Sequence, residues 1–184
     1  MEIRELRSLT ARDLQTMGYG YISNSKYEVR RVEKDGRITI IVEPVQLAEP
    51  YVKVWPCPDD FIEDQNQIIG SGMSLGAYIH GGLVGVVVAQ PRRWNNTMGI
   101  DNIHIDARYR NMGFGTRLMA AIEDIARRNG FRIIGLETQN TNAPAIAFYM
   151  KLGFTLDGLD VSFYSNNKDL EGEIAFFMKK HVRA

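Results

Sequence analysis

Arg110, Gly113 and Gly115 share one short segment, R-N-M-G-F-G, which joins a strand-like stretch to a helix-like one. Glycines allow a ligand to approach the main chain closely, and the first N–H groups of a helix have no partner inside it. These donors, the helix dipole and the arginine together favour an anion, typically a phosphate or pyrophosphate. A plain turn is the alternative, because so short a pattern matches neither the Walker loop nor G-x-G-x-x-G.

Two predicted helices flank the region that would hold such a ligand. The apolar residues of the first recur every three or four positions and form one stripe. The stripe comprises Leu118, Met119, Ile122, Ile125 and Ala126. The second helix is predicted after Asn142, which can cap it, with Pro144 in its first turn and Gly153 at its end. The run F-R-I-I-G-L-E-T between them is typical of a buried strand.

The first half of the chain is rich in predicted strands. Hairpins are expected across Asp35-Gly36 and across the later H-G-G turn. A short capped helix is expected at Thr10, and another short helix between Asp59 and Gln67. Two strand-like pieces, near Thr155 to Tyr164 and near Gly172 to Lys179, end the chain.

Composition narrows the class of protein. The 184 residues suit one domain with a hydrophobic core, and Lys+Arg and Asp+Glu are both 22, so the formal net charge is zero. A neutral chain has no basic field for phosphate backbones, which argues against a nucleic-acid partner. The apolar runs are too short to span a membrane. A single cysteine excludes an internal disulfide and most metal clusters, so we expect no metal and a reduced, cytoplasmic setting.

Two motifs in order resemble the GNAT superfamily of N-acetyltransferases. Its R/Q-x-x-G-x-G/A pattern is met by the glycine segment above. Its later pattern, an Asn followed by Tyr-x-Lys-x-Gly-Phe, is met by Asn142, Tyr149, Lys151, Gly153 and Phe154. Residues from about Pro50 to Met178 are also similar to a branch of that superfamily, the streptothricin and nourseothricin acetyltransferases. P-Y-V-K, W-N, I-D-N-I and the run from L-E-T-Q to S-F-Y carry this similarity.

The resemblance implies an α/β (mixed α+β) class and the GNAT fold. That fold is a central, mostly antiparallel sheet with a splayed parallel strand pair, flanked by helices, here in one domain over residues 1–184. It also implies acetyl-CoA as the acetyl donor, with its diphosphate on the glycine segment and its pantetheine arm along the preceding strand. The implied cofactor-binding residues are Ile103, His104, Ile105, Arg110, Asn111, Met112, Gly113, Phe114, Gly115, Thr116, Asn142 and Tyr149.

The resemblance assigns the proton donor to the departing thiolate to Tyr149, although a core tyrosine is the alternative reading. The attacking amine needs a base. Asp101 is the first candidate and Glu137 the second, and either could instead be an ordinary hydrogen-bonded carboxylate. Strict alternation places His104 on the opposite strand face from Asp101, so a packed histidine is expected there. Cys57 raises a two-step covalent route, but it has no predicted neighbour that would activate it.

The acceptor implied by the branch is a primary amine of a small cationic molecule, with Tyr51, Trp94 and Tyr164 as substrate-binding residues. The acidic run D-D-F-I-E-D could attract such a molecule, although acids in a first helical turn are usually just solvated. Two alternatives stay open: acetylation of another amine (a polyamine, an amino acid or a protein N-terminus), and a non-catalytic acyl-CoA-binding domain. No nucleic acid or membrane partner is expected, and a homodimer is left open.

Overall fold

The computed structural model describes residues 1–165 and 172–182. In chain order the elements are β1 (Glu2–Glu5), α1 (Ala11–Met17), β2 (Gly20–Lys34), β3 (Arg37–Val54), α2 (Asp59–Ile69), β4 (Leu75–Ile79), β5 (Gly82–Arg92), β6 (Thr97–Ile105), α3 (Phe114–Arg128), β7 (Ile133–Gln139), α4 (Ala143–Lys151), β8 (Thr155–Asp160) and β9 (Ala175–His181). No helix within these residues is long and apolar enough to cross a membrane.

The central sheet has seven strands in the order β1-β4-β5-β6-β7-β9-β8, and β2 and β3 form a separate two-stranded sheet. The pairs from β1 to β6 are antiparallel, whereas β6 and β7 are parallel. A parallel pair needs a crossover, and α3 supplies it between β6 and β7. This mixed sheet with helices confirms the predicted α/β arrangement.

Strand β6 has two irregular features. Its parallel pairing with β7 runs from Thr97↔Ile133 to Ile100↔Leu136 and ends there, although β6 itself continues to Ile105. The later residues remain paired with β5 on the other side. The register with β5 also shifts, because Val88 faces Asn102 whereas Ala89 faces Ile100. Asp101 is therefore the extra residue of a β-bulge.

The predicted helix ends are confirmed by their caps. Thr10 and Asp13 form a capping box at the start of α1. Asn142 caps α4, its side chain accepting from the N–H of Ala145. In α3 the apolar stripe is buried at Leu118, Met119, Ile122 and Ala126. A stripe of this kind is what fixes an amphipathic helix against a sheet.

The chain divides into two compact units, each with its own packing. Unit 1 comprises Met1–Gly20, Val54–Leu136 and Lys179–Ala184. One apolar cluster of this unit packs α1 and α2 against β5, and contains Leu6, Leu9, Leu14, Met17, Ile69, Val86 and Val88. Burial of such side chains is the main source of stability in a domain of this size.

Unit 2 comprises Tyr21–Lys53 and Glu137–Met178. The buried Asn140 joins the segment around Tyr27 to the segment around Ile174, and both its main chain and its side chain form hydrogen bonds with them. Its side-chain Nδ2 donates to the carbonyl of Tyr27 at 2.8 Å, and its side-chain Oδ1 accepts from the N–H of Ile174 at 2.8 Å. A buried amide with these partners fixes the geometry of the chains it joins.

The last two predicted strands are shorter than the sequence pattern indicates. Strand β8 ends at Asp160, and β9 begins only at Ala175. The Asp160 carboxylate accepts from both the N–H and the hydroxyl of Ser162, at 2.9 and 3.1 Å. This local turn competes with strand hydrogen bonding, so Tyr164 lies in a turn segment rather than in a strand.

Candidate active site

The glycine segment forms the start of α3, as predicted. Gly113 is the N-cap of the helix and has a φ of +82°, and no side chain caps the first N–H groups of α3 among the described residues. Nothing lies within 4 Å of the position where a Cβ on Gly113 would stand. The turn therefore combines unpaired helix donors with open space above them, which is the geometry that binds an anion.

The side chain of Arg110 folds back from this turn onto the main chain of unit 1. Its Nε donates to the carbonyl of Ile105 at 3.0 Å, and its Nη2 donates to the carbonyls of Gly20 at 3.1 Å and Gly18 at 3.3 Å. These contacts tie the end of β6 to the segment after α1. Direct contact between this guanidinium and a phosphate stays a prediction.

His104 is buried on β6, with 6% of its surface exposed. Its Nε2 lies 3.4 Å from the carbonyl of Met17 and 3.4 Å from the Nη2 of Arg110. Burial, and then the positive charge of Arg110, lower the pKa of His104 to about 4. The imidazole is therefore neutral at physiological pH, as a packed histidine should be.

Asp101 lies at the β-bulge, and its side chain is exposed. Its Oδ2 accepts a hydrogen bond of 2.5 Å from Nε2 of Gln65 on α2. The predicted opposite placement of Asp101 and His104 is wrong. Both side chains face the side of the sheet that α1 and α2 cover. Asp101 is bonded to Gln65 of α2, and the ring of Tyr19 contacts both His104 and Phe61 of α2. The extra residue in the bulge breaks the alternation on which that prediction depended.

Glu137, the second predicted base, lies on β7 in unit 2. Its Oε1 accepts a hydrogen bond of 2.5 Å from the hydroxyl of Tyr164. Burial raises the pKa of Glu137 to about 7; the Tyr164 hydrogen bond opposes this rise, and the charge of Glu173 adds to it. A carboxyl group that titrates near neutral pH is suited to general base catalysis.

A second carboxylate of unit 2, Glu173, was not predicted from the sequence, and its charge contributes to the raised pKa of Glu137. It is 3% exposed, and it accepts from the hydroxyl of Tyr51 at 3.0 Å and from Nζ of Lys53 at 2.8 Å. The hydroxyl of Thr141 lies 3.4 Å from the same carboxylate. A signal existed, since alternate residues of a strand share a face, so the tyrosine and lysine of P-Y-V-K point the same way.

Asn142 and Tyr149 both lie on α4 and are buried, with 9% and 6% of their surfaces exposed. Asn142 Oδ1 accepts from the N–H of Ala145 at 3.3 Å. The pKa of Tyr149 is raised, first by burial and then by the negative charge of Glu137. The phenol therefore stays protonated and keeps a proton to donate.

Two further residues singled out in the sequence lie in unit 1. Trp94 is in the turn that precedes β6, and 87% of its surface is exposed. Cys57 is half-buried against the apolar cluster, and burial raises its pKa. The described residues contain no group of three or more His, Cys, Asp or Glu side chains that could hold a metal ion.

The structure thus groups the predicted residues unit by unit. Within unit 2 it brings Glu137 and Tyr164 into contact, and it joins Tyr51 to the additional residue Glu173. Within unit 1 the end of β6 leads directly into the glycine turn. The residues predicted to hold acetyl-CoA there are the main chain of Ile103–Ile105 and of the turn up to Thr116.

Comparisons with known proteins show the family of this chain. The acetyltransferase (GNAT) family model matches residues 45–154, which is more than half of the chain. A streptothricin acetyltransferase from Streptomyces lavendulae is 30% identical over 182 residues, covering 96% of this chain and 93% of the relative. A streptothricin acetyltransferase from Escherichia coli is 31% identical over 128 residues, covering 70% of this chain and 69% of the relative.

Solved structures give the same result for the fold. Nourseothricin acetyltransferase superposes with a TM-score of 0.74 at 27% identity, covering 99% of this chain and 98% of the other. An acetyltransferase from Bacillus anthracis str. Ames, solved in complex with acetyl coenzyme A, superposes with a TM-score of 0.71 at 29% identity, covering 98% of both chains. The chain therefore belongs to the acetyltransferase (GNAT) family and is an N-acetyltransferase whose acetyl donor is acetyl-CoA.

Proposed function

We propose that this enzyme transfers the acetyl group of acetyl-CoA directly to a primary amine of a small cationic molecule of the streptothricin type. The observation that carries the proposal is the pair of carboxylates, Glu137 and Glu173, set among tyrosine hydroxyls. The relatives named for streptothricin and nourseothricin support this substrate class.

The charge of this cluster suits an ammonium group. An aliphatic amine is mostly protonated at neutral pH, so it arrives as a cation and must lose a proton before it can attack. The ionised carboxylate of Glu137 attracts such a cation, and burial strengthens the attraction relative to bulk water, whereas the charge of Glu173 is already paired with Lys53. The rings of Tyr21 and Tyr51 are stacked with centroids 6.0 Å apart, and aromatic faces also attract ammonium.

We propose that Glu137 takes the proton of the ammonium group, directly or through one water molecule. The neutral nitrogen then attacks the thioester carbonyl carbon, which forms the C–N bond and a tetrahedral oxyanion. A main-chain N–H stabilises the oxyanion, and such donors are worth a few kcal/mol in a dry site. When the C–S bond breaks, the thiolate of coenzyme A takes the proton of Tyr149. The acetylated nitrogen loses its extra proton, which restores the phenol of Tyr149 through water, and Glu137 returns its own proton to solvent.

Of the two candidate bases, Glu137 is now preferred over Asp101. The environment of Glu137 holds its pKa near the pH at which a base works best, whereas Asp101 is exposed and already accepts from Gln65. The order of preference predicted from the sequence, Asp101 before Glu137, is reversed because Glu137 is buried and Asp101 is exposed. The sequence pattern around the two residues does not indicate this difference in burial.

A covalent route through Cys57 is not supported. A nucleophilic cysteine needs a lowered pKa, and burial raises the pKa of this one. The thiol packs against the apolar cluster of unit 1, which suits a small hydrophobic side chain. Direct attack by the amine needs no enzyme nucleophile.

The proposal is tested by incubating the enzyme with acetyl-CoA and streptothricin. Thiol release is followed with a chromogenic disulfide, and the mass of the drug is measured by mass spectrometry to detect one added acetyl group. Spermidine, free lysine and a peptide with a free N-terminus are run in parallel. If only these other amines are acetylated, the acceptor is not of the streptothricin type and belongs to the class of the amine that reacts. Thermal stabilisation by acetyl-CoA without thiol release from any amine would indicate a non-catalytic binding protein.

A further inference from the structure

The half-buried guanidinium of Arg110 is bonded to main-chain carbonyls at two places in unit 1. The carboxylate nearest to it in the chain, Asp106, is engaged elsewhere. Asp106 accepts from Nε of Arg108 at 3.0 Å and from Nη2 of Arg108 at 2.6 Å. A cation that donates to carbonyls of separate segments fixes those segments relative to each other.

One of these carbonyls lies on an unusual side of β6. The N–H of Asp106 donates to the carbonyl of Val84 at 3.0 Å, so the main-chain groups of Asp106 point toward β5. In an antiparallel pair these groups alternate along the strand, so those of Ile105 and Ile103 point away from β5. The pairing with β7 has ended before this point, and this side of β6 is called the open edge here. Nε of Arg110 donates to the carbonyl of Ile105 at 3.0 Å and so occupies the last carbonyl of the open edge.

The other carbonyls bonded to Arg110 belong to the end of α1. Its Nη2 donates to the carbonyls of Gly18 at 3.3 Å and Gly20 at 3.1 Å, and Gly18 is the C-cap of α1 with a φ of +72°. The last carbonyls of a helix carry a partial negative charge, and α1 has no basic residue in its own last turn. Arg110 therefore supplies the cation for this helix end from a distant part of the chain.

Tyr19, which lies between these two glycines, contacts the same strand. Its hydroxyl accepts from Nδ2 of Asn102 at 3.0 Å, and the centroid of its ring lies 5.2 Å from that of His104. The segment G-Y-G is thus held against β6 by its tyrosine and, further along the strand, by Arg110. Loss of the guanidinium would release the end of the open edge from α1.

We infer that Arg110 is a positioning residue for acetyl-CoA, because its guanidinium fixes the end of the open edge of β6 against α1 and so shapes the strand that pairs with the pantetheine arm. The inference rests on the proposed placement of that arm along Ile103–Ile105, and it does not depend on the acceptor amine. Contact between the guanidinium and the diphosphate, the role that the family resemblance implies, is the competing explanation.

Coenzyme A and pantetheine distinguish the two roles, because pantetheine has the arm without the diphosphate. Dissociation constants are measured without an acceptor, by calorimetry for coenzyme A and by NMR titration for pantetheine, and melting temperatures confirm that each variant is folded. For Arg110→Gln we expect both ligands to bind about tenfold more weakly, and by the same factor, because the strand edge that both use has lost its attachment. A loss confined to coenzyme A, or unchanged affinities in a folded variant, overturns the inference.

Arg110→Lys tests the charge separately. A lysine keeps the charge that attracts a phosphate, but its single nitrogen cannot reproduce the planar fork that reaches both segments. We therefore expect Arg110→Lys to weaken both ligands as Arg110→Gln does. If Arg110→Lys retains the affinity for coenzyme A that Arg110→Gln loses, the charge acts on the diphosphate and the inference is wrong.

Arg117→Gln is the matched control, because Arg117 is exposed in the first turn of α3, beside the glycine turn. The control removes the same charge near the predicted diphosphate site without releasing the open edge. Any loss of affinity in Arg117→Gln should therefore be confined to coenzyme A. An equal loss for pantetheine in this control would show that the comparison does not isolate the strand edge, which would overturn the inference.

A measurement on the unaltered enzyme covers the case in which neither Arg110 variant folds. The ¹H–¹⁵N signal of Arg110 Nε, assigned by its nuclear Overhauser contacts to Ile105, is followed as coenzyme A or pantetheine is added. If the guanidinium stays on the Ile105 carbonyl, this proton exchanges slowly with water in both complexes. Faster exchange in the coenzyme A complex alone would show that the guanidinium leaves the strand for the diphosphate, against the inference.

Discussion

The hydroxyl of Tyr164 lies 2.5 Å from Oε1 of Glu137 and donates a hydrogen bond to it. This bond favours the ionised carboxylate, whereas burial favours the protonated one, and the balance leaves the pKa of Glu137 at about 7. Small changes in this surrounding therefore change the fraction of active base at neutral pH.

Replacing Glu137 with Gln should lower kcat by about 100-fold or more, because a positioned general base contributes roughly that much. In the wild type, the active form is the deprotonated one, so kcat/KM should rise with pH through about 7 and level off above it. The control is Asp101→Asn, in which kcat/KM should still rise with pH in this range. If instead the rise is lost in Asp101→Asn and retained in Glu137→Gln, the base is Asp101.

Replacing Tyr149 with Phe should lower kcat by about 10- to 100-fold while acetyl-CoA binding changes little, because only proton donation to the thiolate is lost. The ring stays in place beside Phe148 and Phe154, so packing is preserved. Pre-steady-state thiol release and calorimetry with coenzyme A measure the two effects separately. Equal turnover in the variant would remove Tyr149 from the chemistry.

Replacing Gly113 with Val should weaken acetyl-CoA binding by about tenfold or more, because the side chain would occupy the space above the helix donors. Gly113 has a φ of +82°, so part of any effect is backbone strain. Gly130→Val is the matched control, since Gly130 at the other end of α3 has a φ of +69° and equally open space. Only the Gly113 variant should raise the dissociation constant measured by calorimetry.

Replacing Cys57 with Ser should leave kcat within about twofold, because no covalent step passes through a thiol whose pKa is raised. The variant is checked for folding by its melting temperature, since Cys57 contacts the apolar cluster. A folded Cys57→Ser protein without activity would support the two-step route.

Stability should fall on acidification between about pH 6.5 and pH 4, because His104 is neutral in the folded chain and protonated in the unfolded one. The folded pKa of about 4 lies below the unfolded value, so the stabilisation is present above that range and is lost as the pH falls. The expected loss is on the order of 2 to 3 kcal/mol. Urea unfolding at several pH values measures it, and His104→Gln should show a flatter dependence.

Much of the fold could be predicted from local patterns. The apolar stripe around Leu118 and Ile122 gave α3, and cap residues such as Asn142 gave the helix ends, because these signals depend on a few neighbouring residues. The bulge at Asp101 could not be predicted, since it depends on how β5 and β6 pair. Tyr164 was assigned to a strand because the turn formed by Asp160 depends on a single side chain.

The candidate site was predictable in part. The glycine turn is local, so its sequence already indicated its conformation. Glu173 lies 122 residues from Tyr51 in the chain, and nothing local to either residue indicates that they meet. Burial, which raises the pKa of Glu137, is likewise a property of the folded chain rather than of L-E-T-Q.

The bulge in β6 also determines which face of the sheet each later side chain of that strand lies on, the face toward α3 or the face toward α1. With Asp101 present, Ile105 lies toward Leu118 of α3 while His104 lies toward the end of α1. Deleting that single residue would exchange the two, placing an imidazole against the aliphatic layer and an isoleucine beside Arg110. Homologous chains that differ in length at this point should therefore also differ in the residue types that follow, and this correlation can be sought in any set of aligned sequences.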